Sequence, residues 1–337
     1  MRIEASGHVT IDGVISANGR NPNGGDQGGG SGGGICIRCD TFAGSGVVRA
    51  NGASVQYDGA EGINAPGAGG GGRIAVIYNP TNQRSLQARS SVSFSTRNGL
   101  PTQTYLPNAG TLGTLYFTDD QLMPASMDTS FNGVIFGFSR WEASNVFANG
   151  AILQFGADDF DLAVSNNFIF RLPQNYAYRP PLNPSRLSAG GDVIIGEANV
   201  VLSNNSPELV CGANLALESN TTLSVWSSPT NGAPADYGAL VSVGGDIFLS
   251  SNSWIYPKVA TNDGGAPLFR ARNINVCAGS GFNSTTNGFW PSGPGTPATS
   301  SRGGGGHGGQ GGTGYGPGGA TYGSADSPIL PGSPGQA

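Results

Sequence analysis

The chain has 337 residues with 58 glycines, and only 11% of its residues are charged, giving a formal net charge of -5 at pH 7. This length allows one large or two small domains, and so mild a charge argues against binding to nucleic acid. Disordered chains usually pair low hydrophobicity with high net charge, so a hydrophobic share of 37% with few charges favours a folded protein. Residues 1–10 lack the apolar segment of a signal peptide, and no run of about 18 apolar residues predicts a membrane span.

Short β-type runs separated by Gly, Asn, Pro and Ser recur along the whole chain, and helical periodicity is hard to find. Two early runs end in the same corner, Ala17-Asn18-Gly19 and Ala50-Asn51-Gly52. Asn and Gly tolerate positive φ, so these corners predict sharp turns between strands. Asparagines stacked at such corners would also be able to bond to one another along a common axis.

Three glycine tracts interrupt this pattern. Two of them, Gly28–Gly34 and Gly67–Gly72, run directly into the β-type sequences GICIR and RIAVI, and the third is Gly303–Gly319. One interpretation is a flexible linker. The one we favour is ordered packing of extended, polyproline-II-like segments, where glycine allows a close approach that no side chain would fit.

The middle region, residues 81–185, contains the densest carboxylate cluster and ends in a proline-rich connector, Tyr176–Pro184. The cluster consists of Asp158, Asp159 and Asp161, whose oxygens are suitable ligands for calcium. A solvated turn is the plainer interpretation. Polysaccharide lyases with a parallel β-helix combine calcium, aspartates and a basic residue, but no Lys or His accompanies this cluster in sequence.

Residues 186–290 carry the clearest internal repeat. Gly190–Ile195 matches Gly244–Leu249, and each is followed by a further apolar run, Asn199–Leu202 and Ser253–Tyr256. A five-residue strand cannot bury its apolar face alone but gains a ladder and a shared core when it is stacked on an identical coil. The repeat therefore predicts an all-β parallel β-helix, with a sandwich or another antiparallel β fold as the alternative. We expect residues 1–80, 81–185, 186–290 and 291–337 to form one continuous solenoid.

Four exposed aromatic residues in the third quarter of the chain and just after it suggest a surface for stacking against sugars. They are Trp226, Trp254, Tyr256 and Trp290. Core filling or a protein interface would explain the same residues, because aromatic side chains are enriched in both.

The four cysteines, Cys36, Cys39, Cys211 and Cys277, do not form a zinc motif, because no second pair or histidine lies at ligand spacing. We interpret them as small buried residues, with a disulfide involving Cys211 and Cys277 as the alternative.

The glycine-rich segments as a set carry a family resemblance. Gly28–Gly52, Gly69–Tyr78 and Gly303–Ser324 resemble segments of very large glycine-rich surface proteins of Verrucomicrobia and Planctomycetes. In such proteins a segment similar to Tyr322–Ala337 is followed by one similar to Arg2–Gly19, so this chain resembles one circularly cut repeat period. The resemblance implies secretion, large size and β-solenoid character, and it implies no activity.

These observations predict an extracellular structural protein, and not an enzyme, whose subunits assemble head-to-tail into a fibre, sheath or surface layer. The partner is then a second copy of the chain, with no nucleic acid and no membrane span, and no cofactor is expected unless calcium binds the aspartates. The predicted contact residues are Met1, Arg2, Ile3, Glu4, Ala5, Pro328, Ile329 and Leu330. The alternatives are an adhesin module that binds polysaccharide and, with less support, a polysaccharide lyase.

Overall fold

The computed structural model describes residues 1–22, 27–55, 66–87, 89–101, 109–173, 179–204, 207–230, 237–298 and 302–335. It is almost entirely β, with 37% of residues in strands and 3% in helices, and its sheets are parallel. The prediction of an all-β protein with parallel sheets is confirmed. Residues 176–178 of the predicted connector and residues 336–337 of the tail lie outside the described residues.

The chain divides into two compact units, and the first comprises Met1–Leu182 and Ile195–Ala198. Its strands are β1 (Arg2–Glu4), β2 (His8–Thr10), β3 (Val14–Ser16), β4 (Gly34–Arg38), β5 (Thr41–Ala43), β6 (Val47–Arg49), β7 (Arg73–Ile77), β8 (Ser93–Ser95), β9 (Thr114–Phe117), β10 (Ser126–Met127), β11 (Asn132–Phe136), β12 (Arg140–Ala143), β13 (Val146–Asn149), β14 (Ile152–Phe155), β15 (Asp161–Val164) and β16 (Phe168–Arg171). Helix α1 (Pro80–Arg84) begins with a proline and is capped by the side chain of Asn79, and a single 3₁₀ turn spans Asp120–Leu122.

Parallel ladders connect the strands of the first unit. The longest runs β1-β4-β7-β9-β11, and β11 also pairs with β14 and with β8, from which β6 and β3 continue. The shorter ladders are β2-β5, β10-β13-β16 and β12-β15. The early strands repeat at an interval of 33 residues, which places Asn18 directly below its counterpart Asn51.

The second unit comprises Asn183–Ile194 and Asn199–Ala337. Its strands are β17 (Arg186–Ala189), β19 (Asn199–Leu202), β20 (Glu208–Cys211), β21 (Leu215–Leu217), β22 (Thr222–Trp226), β23 (Ala239–Val243), β24 (Asp246–Leu249), β25 (Trp254–Lys258), β26 (Pro267–Arg270), β27 (Asn273–Val276) and β28 (Gly281–Phe282), while β18 (Val193–Gly196) contributes residues to both units. Three parallel ladders result, β17-β20-β23-β26, β21-β24-β27 and β19-β22-β25-β28.

The core of the second unit follows from strict alternation along each strand. In β22, Leu223 and Val225 are fully buried, whereas Thr222, Ser224 and Trp226 point outward. Leu223 lies opposite Val200 on one side and Ile255 on the other, so buried residues stack in columns from strand to strand. Burying each such side chain contributes about 1.5–3 kcal/mol, which a single short strand would not gain alone.

The glycine tracts of the first unit are ordered, as we predicted. A Cβ atom on Gly29 would lie 2.4 Å from the carbonyl oxygen of Ala53, and one on Gly32 would lie 2.1 Å from that of Ala50. The N–H groups of Gly69 and Gly72 donate to these same two carbonyls, at 2.9 and 2.7 Å. Contacts that recur every third residue match the period of polyproline II. We call residues 17–20, 28–34, 50–54, 66–72, 96–100 and 109–113 the glycine segments.

The third tract is also hydrogen-bonded to its own surroundings in the second unit. Gly306 N donates to Gly295 O at 2.8 Å, and Gly319 N donates to Gly304 O at 2.9 Å. A Cβ atom on Gly318 would lie 2.0 Å from Gly311 O. Backbone contact therefore packs this tract as it packs the other two, and the interpretation as a flexible linker is wrong for all three.

Polar side chains form hydrogen-bonded ladders between neighbouring segments, as the stacked asparagines predicted. In the first unit, Asn51 N donates to Asn18 Oδ1 at 2.9 Å, and Ser95 Oγ donates to Asn51 Oδ1 at 2.7 Å. In the second unit, the side chain of Asn214 bridges the side chain of Asp192 and the backbone of Asp246, the two aspartates of the predicted repeat.

The Ala-Asn-Gly corners turn in a different way from the one expected. Among the described residues, positive φ occurs at Asn204, Asn220 and Asn252 but not at Asn18 or Asn51. Nor does Gly52 adopt positive φ, and its role is close approach, since a Cβ atom there would lie 2.1 Å from Gly69 O. The sequence pattern located these corners, but the asparagines supply hydrogen bonds and the glycines supply space.

Candidate functional site

The terminal strands of the ladders in each unit have unpaired edges. Within the described residues, β1, β2 and β3 each pair with a neighbour on one side only, and so do β26, β27 and β28. An edge strand presents unused N–H and C=O groups, which are a template for another strand.

The last strands of the second unit also expose residues that should belong to a core. Ile274 lies opposite the fully buried Ile247, and Val276 lies opposite Leu249, yet both β27 residues are 47% exposed. Phe282 is 37% exposed and packs edge-on against Phe269, with ring centroids 5.2 Å apart. We call Phe269, Ile274, Val276 and Phe282 the C-terminal core end.

The first strands of the first unit present the equivalent surface. Ile3, Val9 and Ile15 lie opposite the fully buried Ile37, Phe42 and Val48, but are themselves only partly covered. Together with the exposed side chain of Met1 they form what we call the N-terminal core end. Both core ends are apolar and carry unpaired strand edges.

The predicted contact residues at the amino terminus lie at this edge. The amino group of Met1 donates to Gly34 O at 2.6 Å, and Arg2 Nε donates to Glu4 Oε1 at 2.9 Å within the same strand. Ala5 N donates to Arg38 O, which extends the pairing of β1 by one residue. One edge of this segment is therefore used, while the other has no partner among the described residues.

The predicted contact residues of the tail, Pro328, Ile329 and Leu330, line an apolar cavity of about 810 Å³ in the second unit. Phe269 and Phe282 of the C-terminal core end line the same cavity, as does Trp290. The structure thus brings the tail segment together with the core end, a juxtaposition that the sequence did not indicate.

Three of the four predicted sugar-stacking residues share one sheet face. Trp226, Trp254 and Tyr256 occupy outward positions on β22 and β25, where Ser224 lies opposite Tyr256. The indole of Trp254 covers Gly281 of β28, since a Cβ atom there would lie 3.2 Å from the Trp254 ring. Trp290 is not part of these strands and belongs to the segment that follows β28.

Lys258 belongs to this face, and our sequence reasoning did not include it. Its Nζ atom lies 5.8 Å from the ring centroid of Trp226 and 5.6 Å from that of Tyr256, within cation–π range. Nζ also donates to Asn287 Oδ1 at 3.1 Å. The signal was the alternation Trp254, Tyr256, Lys258 within one strand, which places all three side chains on one side. We call Trp226, Trp254, Tyr256 and Lys258 the aromatic face.

The predicted calcium ligands are spread over a turn and a strand. Asp161 begins β15 and accepts a hydrogen bond from Arg140 Nη1 at 2.8 Å, while Asp158 and Asp159 lie in the preceding turn. In the part of the chain that the structure describes, no group of three or more His, Cys, Asp or Glu side chains is arranged to hold a metal ion. Calcium binding stays a prediction, with Arg140 as a competitor for Asp161.

All four cysteines are free thiols, so the alternative of a disulfide involving Cys211 and Cys277 is not realised. Cys211 is buried, as expected of a small core residue, and its single S–H proton has two acceptors within reach, Gly191 O at 3.1 Å and Asn214 O at 3.0 Å from Sγ. The other three depart from our expectation of buried residues: Cys36 and Cys39 are half-buried, and Cys277 is exposed because it directly follows the exposed strand β27. Burial and the nearby Asp40 raise the pKa of Cys39 to about 11, which disfavours a reactive thiolate.

None of the helices in the described part of the chain is long and apolar enough to cross a membrane. Comparison with known proteins found no matching family model, no similar curated protein and no similar solved structure.

Proposed function

We propose that this chain is an extracellular structural subunit that assembles head-to-tail with copies of itself. The strands of each unit are, in this proposal, the faces of β-solenoid coils. The N-terminal core end of one subunit docks on the C-terminal core end of the next. The proposal ascribes no catalytic activity to the chain.

The observation that carries the proposal is the exposure of core-facing residues at both ladder ends. Ile274 and Val276 continue buried columns of the second unit, and Ile3 and Val9 continue buried columns of the first. Covering these side chains with a further coil would remove apolar surface from water and pair the free strand edges. A second copy offers both, because each subunit carries one core end of each kind.

The geometry of such a contact determines the type of assembly. The two core ends are different surfaces, so the contact is heterologous and generates an open filament unless the rotation between subunits closes a ring. The resemblance of the tail-to-head junction to continuous repeat sequence supports the same order of contacts.

The test compares two variants of β27 that differ only in the face they change. Ile274→Glu places a charge on the C-terminal core end, whereas Asn275→Glu places it on the opposite face of the same strand. We expect electron microscopy and light scattering at increasing concentration to show filaments or rings for the natural chain and for Asn275→Glu, and monomers for Ile274→Glu. Circular dichroism and thermal melting check that both variants fold.

Two results would overturn the proposal. One is a natural chain that stays monomeric at the highest concentrations reached. The other is an Ile274→Glu variant that is folded and assembles as readily as the natural chain. A reciprocal pair at the other end, Val9→Glu against Thr10→Glu, gives an independent reading, since Val9 faces the core and Thr10 does not.

A further inference from the structure

We propose that the aromatic face is a binding site for an acidic polysaccharide, with Lys258 recognising a sugar carboxylate. This function is separate from assembly, because the residues that carry it lie on the outward side of β22 and β25 and not at a core end. Its ligand class follows from the charge, the shape and the hydrogen-bonding groups of this face.

Among the described residues, the charge on this face is a single cation that takes part in no ion pair. Lys258 is the only lysine in the chain and the only charged residue in β19, β22, β25 and β28. None of the ion pairs among the described residues includes it. A cation held in place without a counter-charge attracts an anionic ligand, and a carboxylate accepts short, strong hydrogen bonds from an ammonium group.

The ammonium group is fixed in place yet keeps capacity for a ligand. The rings of Trp226 and Tyr256 flank Nζ, and Asn287 Oδ1 accepts one of its three N–H groups. Asn287 is itself held by a turn, because its N–H donates to Ser284 O and its Nδ2 donates to Thr285 O at 3.3 Å. Asn287 is the one hydrogen-bond partner of Nζ among the described residues, which leaves two N–H groups for a bound carboxylate.

The rest of the face suits sugar rings better than it suits a protein partner. Trp226 is 49% exposed and offers a flat surface for the C–H face of a pyranose. Ser224, two residues earlier on the same face of β22, and Tyr256, which lies opposite Ser224, carry hydroxyl groups that can hydrogen-bond to sugar hydroxyls. The net charge of -5 and the isolation of this cation argue against a nucleic-acid phosphate backbone, which needs many basic contacts.

The experiment measures binding of oligogalacturonate and of its fully methyl-esterified form, which has the same sugar rings without the charge. We expect the natural chain to prefer the carboxylate form, with affinity that falls as salt is added. Lys258→Met should weaken oligogalacturonate binding by about tenfold, equivalent to about 1.4 kcal/mol, and leave the ester unchanged. Lys258→Arg should retain part of the preference, because it keeps the charge.

Trp226→Ala should weaken the binding of both oligosaccharides, because stacking does not depend on the carboxylate. The matched control is Phe248→Ala, which removes an exposed aromatic ring from the outward face of β24, in a different sheet of the same unit. Equal binding of the two oligosaccharides by the natural chain, binding of neither, or an unchanged affinity in Lys258→Met would each overturn the proposal. Assembly, measured without oligosaccharide, is expected to be the same in all these variants, so the failure of either proposal is visible separately.

Discussion

The glycine segments of the first unit and the parallel ladders of the second unit both join segments that are distant in sequence, but they bring different atoms into contact. In the glycine segments, backbone lies directly against backbone, as where Gly72 N donates to Ala50 O at 2.7 Å. In the second unit, columns of fully buried side chains such as Val200, Leu223 and Ile255 run from strand to strand. Because the glycine segments lack side chains, backbone hydrogen bonds are the main interaction between them. An added side chain would hold neighbouring segments apart.

This contrast predicts that adding a single methyl group to a closely packed glycine strongly destabilises the first unit. We expect this substitution to have the largest effect on stability of those proposed here. A Cβ atom on Gly32 would lie 2.1 Å from Ala50 O and 2.6 Å from Gly72 N, both rigid backbone atoms. We expect Gly32→Ala to lower the free energy of unfolding by about 4 kcal/mol or more, because the neighbouring segments must separate.

The matched control is Gly34→Ala, two residues further on, where nothing lies within 4 Å of the added methyl group. That change should stay within about 0.5 kcal/mol of the natural chain. Urea denaturation combined with hydrogen exchange of the β4 and β7 amides measures both variants. Similar stabilities for the two variants would show that these glycines are interchangeable and that close packing is not their role.

The sequence predicted that the glycine tracts are ordered but not which glycines are in contact. Gly32 and Gly34 stand in the same run, and nothing in the run distinguishes them, because the difference arises from segments some twenty and forty residues away. Local alternation was more informative. Strand geometry alone determines which side chains share a face, and in β22 it puts Leu223 on the buried face and Trp226, which we expected to be exposed, on the other.

The candidate sites also contain residues of two kinds. The position of some follows from local strand geometry, whereas the position of others depends on parts of the chain that are distant in sequence. Trp226, Trp254 and Tyr256 lie on one face because the strands that carry them pair in register. The loop residue Trp290 follows no such rule, and only the folded chain places it at the cavity lined by the tail. Lys258 could have been predicted from its position in β25, had the alternation been applied to charged residues as well as aromatic ones.

The complementary test removes side-chain atoms from the core of the second unit, whereas Gly32→Ala adds a methyl group in the first unit. Leu223 is fully buried at the centre of a column, so Leu223→Ala leaves a cavity between Val200 and Ile255. We expect a loss of about 3 kcal/mol in the free energy of unfolding. Ser224→Ala, on the outward face of the same strand, is the control and should have little effect. A loss of less than about 1 kcal/mol for Leu223→Ala would mean that side-chain columns are not what stabilises this unit.

The two polar ladders should differ in how their stability depends on pH. We expect this difference to be the smallest of the predicted effects. The ladder at Asn18, Asn51 and Ser95 is neutral, whereas the ladder of the second unit continues to Asp246, which accepts hydrogen bonds from Arg272 Nε and Asn273 Nδ2 at 2.9 Å each. These bonds, that from Arg272 above all, hold the pKa of Asp246 below its ordinary value. A carboxyl group with a lowered folded-state pKa stabilises the fold above its unfolded pKa, and this stabilisation is lost as the pH falls through the folded value.

Acidification from about pH 7 to about pH 3 should therefore lower the protection factors of the β27 amides, which correct for the intrinsic pH dependence of exchange, relative to those of β6. In Asp246→Asn, which keeps an acceptor oxygen but does not titrate, the part of this change that Asp246 causes should disappear, and β27 should be less protected than in the natural chain already at neutral pH. If β27 keeps the same pH response in Asp246→Asn, other groups control it. The charge of Asp246 would then have no effect on the protection of β27, and the two polar ladders would not differ in their response to pH.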